Sequence, residues 1–418
     1  MEKFKKISIV GGGTAGAFTA LLLSQKFNNI KVNWYVPNTN QPIGVGEGVS
    51  PPVYNFLRDN GISFKDVYRY MNGSIKTGIK FDNWVSNNHS YIRPNGDSRK
   101  LMTYNESITL KDKIPNDLVD SKEFSLHLDQ SLIFQYISKI VLKNKNFKIV
   151  NQYKSIGNIQ GDIVIDCTGF KRNIIGKLKN DNFIDYTDRI LNNHAVTFKH
   201  TYTNYKKQFK PYTISTAYNS NGWSWTIPLK THIGFGYVYS DNYKNNIDDF
   251  KNYIKNYLNL NDDIELKKLK FTTGRLKEHI IKKNDQIFVG IGLSSGFIEP
   301  LEATSIELMV GELNILCEFI KGNINLNEYN IKCNKGFDCL LDFIILHYKF
   351  KEKDNEYWNH YKKVKINKDL YLEVEDDYAW DWVYNKLNNV DMNEAIPVDK
   401  QIKIIKGKKS INWLKQFN

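Results

Sequence analysis

Three glycines near the start of the chain have the spacing that binding of a dinucleotide requires. They form a G-x-G-x-x-G motif directly after the short apolar run Ile7–Val10. In such a motif the glycines allow a tight turn and a close backbone approach, and the amides of the following helix face a pyrophosphate. The predicted cofactor contacts in this motif are Gly11, Gly13, Thr14, Ala15 and Gly16.

A second feature with chemical meaning is the pair of tryptophans in the stretch Gly222–Pro228. Side chains two positions apart in a strand point the same way, so Trp223 and Trp225 predict a rigid aromatic wall. Indole rings have no acid–base chemistry at neutral pH, and a wall of this kind separates a cofactor from a second, aromatic-lined pocket. Two indoles packed in the core are the alternative interpretation.

Other glycine-rich turns follow apolar strands further along the chain. Gly44–Gly48 is one such turn, and the runs Ile163–Asp166 and Gln286–Ile291 each lead into another. Each is either an ordinary turn or a loop lying along the cofactor. The cofactor contacts predicted in these loops are Gly46, Glu47, Asp166, Gly169, Gly292, Leu293 and Ser294.

The composition excludes several classes of protein. The chain has 418 residues, 41% of them hydrophobic, and none of its apolar runs approaches the roughly 20 residues of a membrane helix. Four cysteines are too few for a disulfide framework, and the histidines are not spaced to complete a zinc site. The sequence therefore predicts a reduced, cytoplasmic protein with no metal and no membrane association.

The net charge of +13 admits an anionic partner. Only seven of the 58 basic residues are arginine, however, and the lysines are scattered along the chain. Binding to a nucleic acid or an anionic surface remains an alternative of another functional class, but no specific nucleic acid is expected.

The elements that must position these motifs belong to an α/β fold. The run Val32–Val36 predicts a second strand, which gives a strand–helix–strand opening. We expect one unit over 1–320, with nucleotide-binding segments at about 1–50, 120–175 and 280–320. Alternating, β-prone residues in the insertions 51–119 and 176–279 predict a second sheet that faces the cofactor. Residues 321–418 are expected to be mostly helical.

The order of motifs resembles the flavin-dependent halogenases of the tryptophan-halogenase type. The motifs are GGGTAG, GVGE, a strand ending in Asp-x-Thr-Gly, GWSWTIP and GLSSGFIEPLEATS. The resemblance implies an FAD-binding, Rossmann-like fold of the aromatic hydroxylase flavoprotein type, with an inserted substrate-side sheet and a helical C-terminal part. It also implies reduced FAD (FADH2) from a separate flavin reductase, together with molecular oxygen and a halide: chloride, bromide or iodide.

The same resemblance implies roles for particular residues. In that family a flavin C4a-hydroperoxide oxidises halide to hypohalous acid, which reaches an essential lysine aligned with Lys76. The lysine delivers electrophilic halogen to an aromatic ring, and the family glutamate aligns with Glu302. Without the resemblance, the alternating pattern predicts that Lys76 is a solvated residue on a strand. Lys80, on the same face, is the alternative candidate for the essential lysine. The predicted halide-binding residues are Thr304 and Ser305, and the predicted barrier between flavin and substrate consists of Trp223 and Trp225.

The sequence thus predicts an FADH2-dependent halogenase that acts on an aromatic small molecule. A flavin-dependent aromatic monooxygenase shares the fold and is the alternative, although it gives the tryptophan pair and Lys76 no purpose. The sequence leaves open whether the chain forms a homo-oligomer. Several C-terminal aromatic residues either line the substrate pocket or belong to the core: Tyr348, Trp358, Tyr378, Trp380 and Trp382.

Overall fold

A computed structural model describes residues 4–37, 46–76, 78–88, 90–94, 125–150, 159–202, 210, 212–349 and 351–366. The helices are α1 Thr14–Lys26, α2 Pro51–Asp59, α3 Phe64–Tyr70, α4 Gln130–Val141, α5 Ile247–Leu258, α6 Thr304–Lys321, α7 Leu326–Lys349 and α8 Glu356–Lys363. The strands are β1 Lys6–Val10, β2 Lys31–Tyr35, β3 Glu47–Val49, β4 Ser74–Lys76, β5 Gly78–Asp82, β6 Ser90–Pro94, β7 Ser125–Leu128, β8 Phe147–Val150, β9 Ile163–Asp166, β10 Phe183–Asp185, β11 His194–Thr201, β12 Thr213–Ala217, β13 Trp223–Pro228, β14 His232–Tyr239, β15 Lys267–Lys270, β16 Gly274–Leu276, β17 Ile280–Lys283, β18 Gln286–Gly290 and β19 Gly296–Phe297.

One sheet is largely parallel and has the strand order β17-β18-β9-β1-β2-β8. All neighbours are parallel except the hairpin β17–β18. Its central strands are short runs of Ile and Val, which favour a sheet buried on both faces. The helix α1 packs against α4 beside this sheet. The three strands expected from the nucleotide motifs are therefore adjacent, in the order β18, β9, β1.

A second sheet has the order β15-β11-β14-β13-β12-β5-β6 and is antiparallel except for the pair β12–β5. Its strands come from the two insertions in which alternating residues predicted a second sheet. Thr226 on its far face bonds to Tyr253 of α5, with 2.9 Å between the hydroxyl oxygens. The opposite face of β13, with Trp223 and Trp225, is thereby left to the pocket.

One feature of the first insertion and one of the segment 120–175 differ from the predicted arrangement. The first insertion begins with the helices α2 and α3, because Ser63 caps α3 and two prolines start α2. In addition, β7 does not join the parallel sheet. It forms the centre of a three-stranded antiparallel sheet, β3-β7-β4.

The C-terminal part of the described chain consists of α6, α7 and α8, which pack on one another. Tyr348 and Trp358 are completely buried there and contact Trp84 edge to face, so they belong to the core. Tyr378, Trp380 and Trp382 lie outside the described residues. None of the helices in the described ranges combines the length and apolar character that crossing a membrane requires.

Candidate active site

The predicted cofactor loops after β1, β9 and β18 meet at one edge of the parallel sheet, whereas Gly46 and Glu47 of the fourth predicted loop line a different pocket. Carboxyl ends of neighbouring parallel strands lie at the same edge, so the turns after β1, β9 and β18 come together. The contact between the first two is close: a side-chain carbon on Gly11 would lie 2.2 Å from the Cys167 carbonyl oxygen. The backbone of Gly11 also has a positive φ of 131°. Both this conformation and the close contact with Cys167 require glycine at this position.

The start of α1 has the properties of a diphosphate site. Gly13 caps the helix without a side-chain hydrogen bond, and the first turn carries no acidic residue. A side-chain carbon on Gly13 would meet no atom within 4 Å, whereas one on Gly16 would lie 2.0 Å from the Gly11 carbonyl oxygen. Open space in front of helix amides suits an anionic group, so these residues fit the diphosphate of FAD.

Asp166 holds the neighbouring loops in place. Its buried carboxylate accepts hydrogen bonds from the backbone and hydroxyl of Thr168, from the Ser294 hydroxyl at 3.1 Å, and from the amides of Ile174 and Ile175, both at 2.9 Å. These contacts fix the turns at Gly169 and Ser294. Because Asp166 is completely buried and already bonded to these loops, it would act on a cofactor only by positioning the loops.

A separate pocket lies against the near face of the seven-stranded sheet. Trp223, Trp225 and Ile227 alternate along β13 and all line it, as the spacing predicted. The opposite wall comes from the turn at 46–48, from the end of β4 and from residues 300–303. The pocket-lining residues are Gly46, Glu47, Gly48, Lys76, Ile79, Thr213, Ser215, Trp223, Trp225, Ile227, Pro300, Leu301, Glu302 and Ala303.

Lys76 is buried at this pocket, with only 1% of its surface exposed. The ammonium nitrogen lies 3.3 Å from the position that a side-chain carbon on Gly48 would occupy, and the Thr213 hydroxyl lies 3.5 Å from the same position. Lys80 is on the next strand, is half-buried and forms an ion pair with Asp82 at 2.9 Å. The expectation that the two lysines share a face therefore does not hold.

Two titratable neighbours of Lys76 come from the small sheet. Desolvation raises the pKa of the Glu47 carboxyl group to about 7, against the lowering effects of a 2.6 Å hydrogen bond from Gln130 and of the Lys76 charge. Burial, reinforced by Lys76, lowers the pKa of His127 well below its usual value. His127 Nε2 lies 2.9 Å from the Thr213 hydroxyl, so a neutral imidazole borders the lysine.

Glu302 lies in a strained turn at the other side of the pocket. It and Ala303 have positive φ angles of 63° and 59°, which residues other than glycine rarely adopt. Strain of this kind costs roughly 1–3 kcal/mol per residue and is concentrated at functional sites. The Glu302 side chain is buried and contacts His347 of α7.

The predicted halide residues begin α6. The residue before the helix, Ala303, provides no side-chain cap, so the first backbone amides have no capping side chain. The Thr304 hydroxyl donates to the Leu301 carbonyl at 3.1 Å, and residues 300–303 line the pocket while Thr304 and Ser305 do not. An anion at the start of α6 would be held by backbone amides, because the Thr304 hydroxyl is already engaged.

A buried carboxyl group lies behind Trp223. Glu299 accepts hydrogen bonds from the Tyr348 hydroxyl at 2.7 Å and from the Asn192 amide at 3.0 Å. The indole N–H of Trp223 also helps to lower the pKa of Glu299, although its geometry falls short of a hydrogen bond. Desolvation outweighs all three and raises that pKa to about 7.

Sequence reasoning missed the residues that surround the predicted pair. Thr213, His127 and His347 are each far in sequence from the residue that they contact, and Asn192 is likewise far from Glu299, the carboxyl group behind Trp223. The motifs around Lys76 and Glu302 carry no signal for them, because only the sheet pairing and the packing of α7 bring them close.

Comparison with known proteins agrees with this architecture. The sequence profile of the tryptophan halogenase family matches residues 6–107 and 135–378. With this match over most of its length, the chain belongs to the tryptophan halogenase family. The expected resemblance is thereby confirmed, and the chain is an enzyme of this flavin-dependent class, for which FAD and a halide ion are implied.

Individual relatives are distant but cover most of the chain. The chain is 25% identical to tryptophan 6-halogenase ThaL from Streptomyces albogriseolus, over 90% of this chain and 82% of the relative. It is 26% identical to tryptophan 7-halogenase RebH from Lentzea aerocolonigenes, over 87% and 80% respectively. The structure of tryptophan 6-halogenase SttH from Streptomyces toxytricini superposes with a TM-score of 0.74, at 23% identity over 90% of this chain and 84% of that one. The predicted Rossmann-like fold is confirmed.

Proposed function

We propose that this protein is a two-component halogenase that uses FADH2, molecular oxygen and a halide to halogenate an electron-rich aromatic small molecule. The observation that carries the proposal is that a buried lysine, Lys76, and a buried carboxyl group, Glu302, line one pocket with Trp223 and Trp225. A flavin reductase, as a separate protein, would supply the reduced cofactor.

The cleft at the carboxyl edge of the parallel sheet would hold the cofactor. Gly13 and the first amides of α1 would bind the diphosphate, with the loops at Gly169 and Gly292 beside it. When bound there, reduced FAD together with molecular oxygen supplies the oxidising power that converts halide to hypohalous acid. The chain from Gly290 to Ala303 leads from this cleft to the pocket, which is consistent with passage of a small oxidant between them.

The pocket residues would then direct the halogen. The Lys76 ammonium donates a hydrogen bond to hypohalous acid, or carries the halogen as a haloamine, and so orients it. As the ring forms its bond to the halogen of hypohalous acid, the halogen–oxygen bond breaks, and the hydroxide leaves as water with a proton from the Lys76 ammonium. From a haloamine, which forms with loss of water, the nitrogen–halogen bond breaks instead and the nitrogen takes up a proton from solvent. The Glu302 carboxylate stabilises the cationic ring and takes its proton. Trp223 and Trp225 keep the substrate ring away from the flavin.

The test is product analysis with the holoenzyme. Protein, FAD, a flavin reductase, NADH and bromide are incubated with a panel of indoles and phenols, and products are identified by mass spectrometry. We expect brominated product that Lys76→Met abolishes and Lys80→Met preserves, because Lys80 lies on the next strand and does not line the pocket. Hydroxylated product without halide would instead establish the monooxygenase, and unchanged bromination in Lys76→Met would overturn the role of that lysine.

A further inference from the structure

A second cluster of reactive side chains lies outside the proposed site. His279 between β16 and β17, Glu312 of α6 and Cys333 of α7 are almost completely buried. One ligand atom from each lies within 4.8 Å of the others. Halogenation, as proposed above, uses none of these three groups.

The hydrogen bonds of His279 fix the nitrogen that faces the cluster. Its Nε2 atom lies 3.1 Å from the Asn334 amide oxygen, which also accepts a hydrogen bond from Arg275. That oxygen is an acceptor, so Nε2 carries the hydrogen and Nδ1 carries the lone pair. Nδ1 lies 3.8 Å from Glu312 Oε1 and bonds to the Ser295 hydroxyl. An acceptor of this kind on the other ring nitrogen fixes the ring in metal-binding histidines.

Glu312 presents an oxygen to the same point. Its Oε2 atom accepts the Gly292 amide hydrogen at 2.9 Å. Its Oε1 atom is buried and accepts no hydrogen bond of good geometry from the described residues. Most buried polar atoms are hydrogen-bonded, so an unsatisfied carboxylate oxygen requires an explanation. The Ser295 hydroxyl also interacts with this carboxyl group and can turn to it, which would release Nδ1.

Cys333 completes the set with a sulfur atom. Tyr329, one turn earlier on α7, interacts with this thiol, and its buried hydroxyl has no hydrogen-bond partner of good geometry in the described ranges. A hydroxyl in that place can donate to a thiolate. One thiolate and one carboxylate balance a divalent cation, so the filled site would be neutral and would suit the interior.

We propose that His279, Glu312 and Cys333 form a zinc site with three protein ligands that ties α6 and α7 to the β16–β17 connection beneath the Gly292–Ser294 turn. Nitrogen, sulfur and carboxylate oxygen are the donors that Zn²⁺ prefers, whereas Mg²⁺ and Ca²⁺ take oxygen ligands. Zinc bonds of about 2.0–2.3 Å place ligand atoms roughly 3.3–3.8 Å apart. The imidazole nitrogen and the carboxylate oxygen, which lie 3.8 Å apart, would close by a few tenths of an ångström, and the thiol would also move closer as it loses its proton to solvent. The site departs from the expectation of no metal because its ligands are distant in sequence.

The first test is the metal content of the intact protein. The chain is produced without a histidine tag in zinc-supplemented medium, and bound metal is measured by plasma mass spectrometry. We expect about one zinc per chain in the wild type and in Cys317→Ser. The latter is a control, because it removes a different buried thiol, which lies on α6. Cys333→Ser and Glu312→Gln should retain less than about a tenth of that amount after dialysis. Equal zinc in Cys333→Ser and the control would overturn the site.

A second measurement tests the ligands even if a variant binds weakly. Cobalt added to the metal-free wild type should give a near-ultraviolet thiolate-to-cobalt band that Cys333→Ser lacks and Cys317→Ser keeps. Zinc should raise the melting temperature of the metal-free wild type, and a chelator should reverse the rise. Folded protein with neither the band nor the rise would mean that the cluster is only a hydrogen-bonded group, and the proposal would fail. Neither measurement depends on halogenase activity.

Discussion

The Nε2 atom of His347 lies 3.1 Å from the Oε1 atom of Glu302, and neither side chain is more than 4% exposed. The other ring nitrogen, Nδ1, lies 2.9 Å from the Phe343 carbonyl oxygen and must donate to it. Nε2 therefore either donates to a Glu302 carboxylate as part of an imidazolium, or accepts from a protonated Glu302. In both cases the pair holds one proton, and Glu302 can take a proton from a ring only as the carboxylate or by passing its own proton to His347.

We predict that His347 positions Glu302 for this step. Glu302→Gln should lower kcat by about 10²-fold or more, because an amide cannot take the proton. His347→Phe should lower kcat substantially with little change in the KM for halide. His347→Gln should recover part of the loss, since its amide can still donate to Glu302. His360→Gln on α8 is the matched control, and initial rates are measured with excess flavin reductase. If His347→Phe and His347→Gln lowered kcat equally, residue 347 would act through its packing and not through a hydrogen bond to Glu302.

A second prediction separates folding from cofactor binding in the first glycine motif. Gly16→Ala places a methyl carbon 2.0 Å from a backbone oxygen and should destabilise the protein even without FAD. Gly13→Ala meets no protein atom within 4 Å and has an ordinary φ of −80°, so the melting temperature should stay unchanged.

The same Gly13→Ala substitution fills the space that the diphosphate would occupy. It should therefore weaken FAD binding by about tenfold or more, since one misplaced carbon forces the phosphate away from the helix amides. Flavin fluorescence titration gives the affinity, and thermal unfolding gives the stability. Tight FAD binding by a stable Gly13→Ala variant would contradict the proposed diphosphate position.

Local patterns in the sequence predict the strands well because the alternation that favours a strand lies in residues that are neighbours along the chain. The alternation of Trp223, Trp225 and Ile227 predicts one face of β13, and the structure places all three on the pocket. The same reasoning predicts that Lys76 is a solvated residue. It is buried because β7, some 50 positions later in the chain, pairs with β4 and covers it.

The geometry of Glu302 was also beyond sequence reasoning. Glu302 and Ala303 have positive φ angles, but neither position is a glycine, so the sequence does not indicate this conformation. The contact with His347 depends on how α7 packs against the turn before α6, which is a tertiary relationship. The resemblance to halogenases identified Glu302, but no local pattern could identify its partner.

A third prediction concerns Gly236, which lies opposite Trp225 across the β13–β14 pair. A side-chain carbon there would lie 2.0–2.4 Å from three atoms of the indole ring, so the ring rests directly on the glycine. Gly236→Ala should therefore force Trp225 to rotate and should destabilise the protein by about 1–3 kcal/mol, as overpacking does.

A double-mutant cycle isolates this contact. In the Trp225→Ala background the added methyl group has no ring to displace, so Gly236→Ala should cost much less there. Free energies of unfolding in urea for the four proteins should give a coupling of about 1 kcal/mol or more. Additive effects would mean that the strand, and not the indole, limits the size of residue 236.

A fourth prediction follows from the buried carboxyl group of Glu299. Burial raises its pKa in the folded protein to about 7, whereas the ordinary value is 4.5. Between these two values the unfolded chain loses the proton while the folded protein keeps it. Stability should therefore fall as the pH rises from about 4.5 to about 7, and the loss should level off above that, with a total of up to about 3 kcal/mol.

Glu299→Gln removes this ionisation and keeps a similar shape, so its stability should depend less on pH. As the pH rises from 5 to 8, the free energy of unfolding of the wild type should fall relative to that of Glu299→Gln. Glu278→Gln, which alters an exposed carboxyl group, is the control for the general effect of removing one negative charge. A constant difference across this range would mean that Glu299 is already ionised in the folded protein, held by Tyr348 and Asn192. The indole of Trp223 would then border a charge and not a neutral acid.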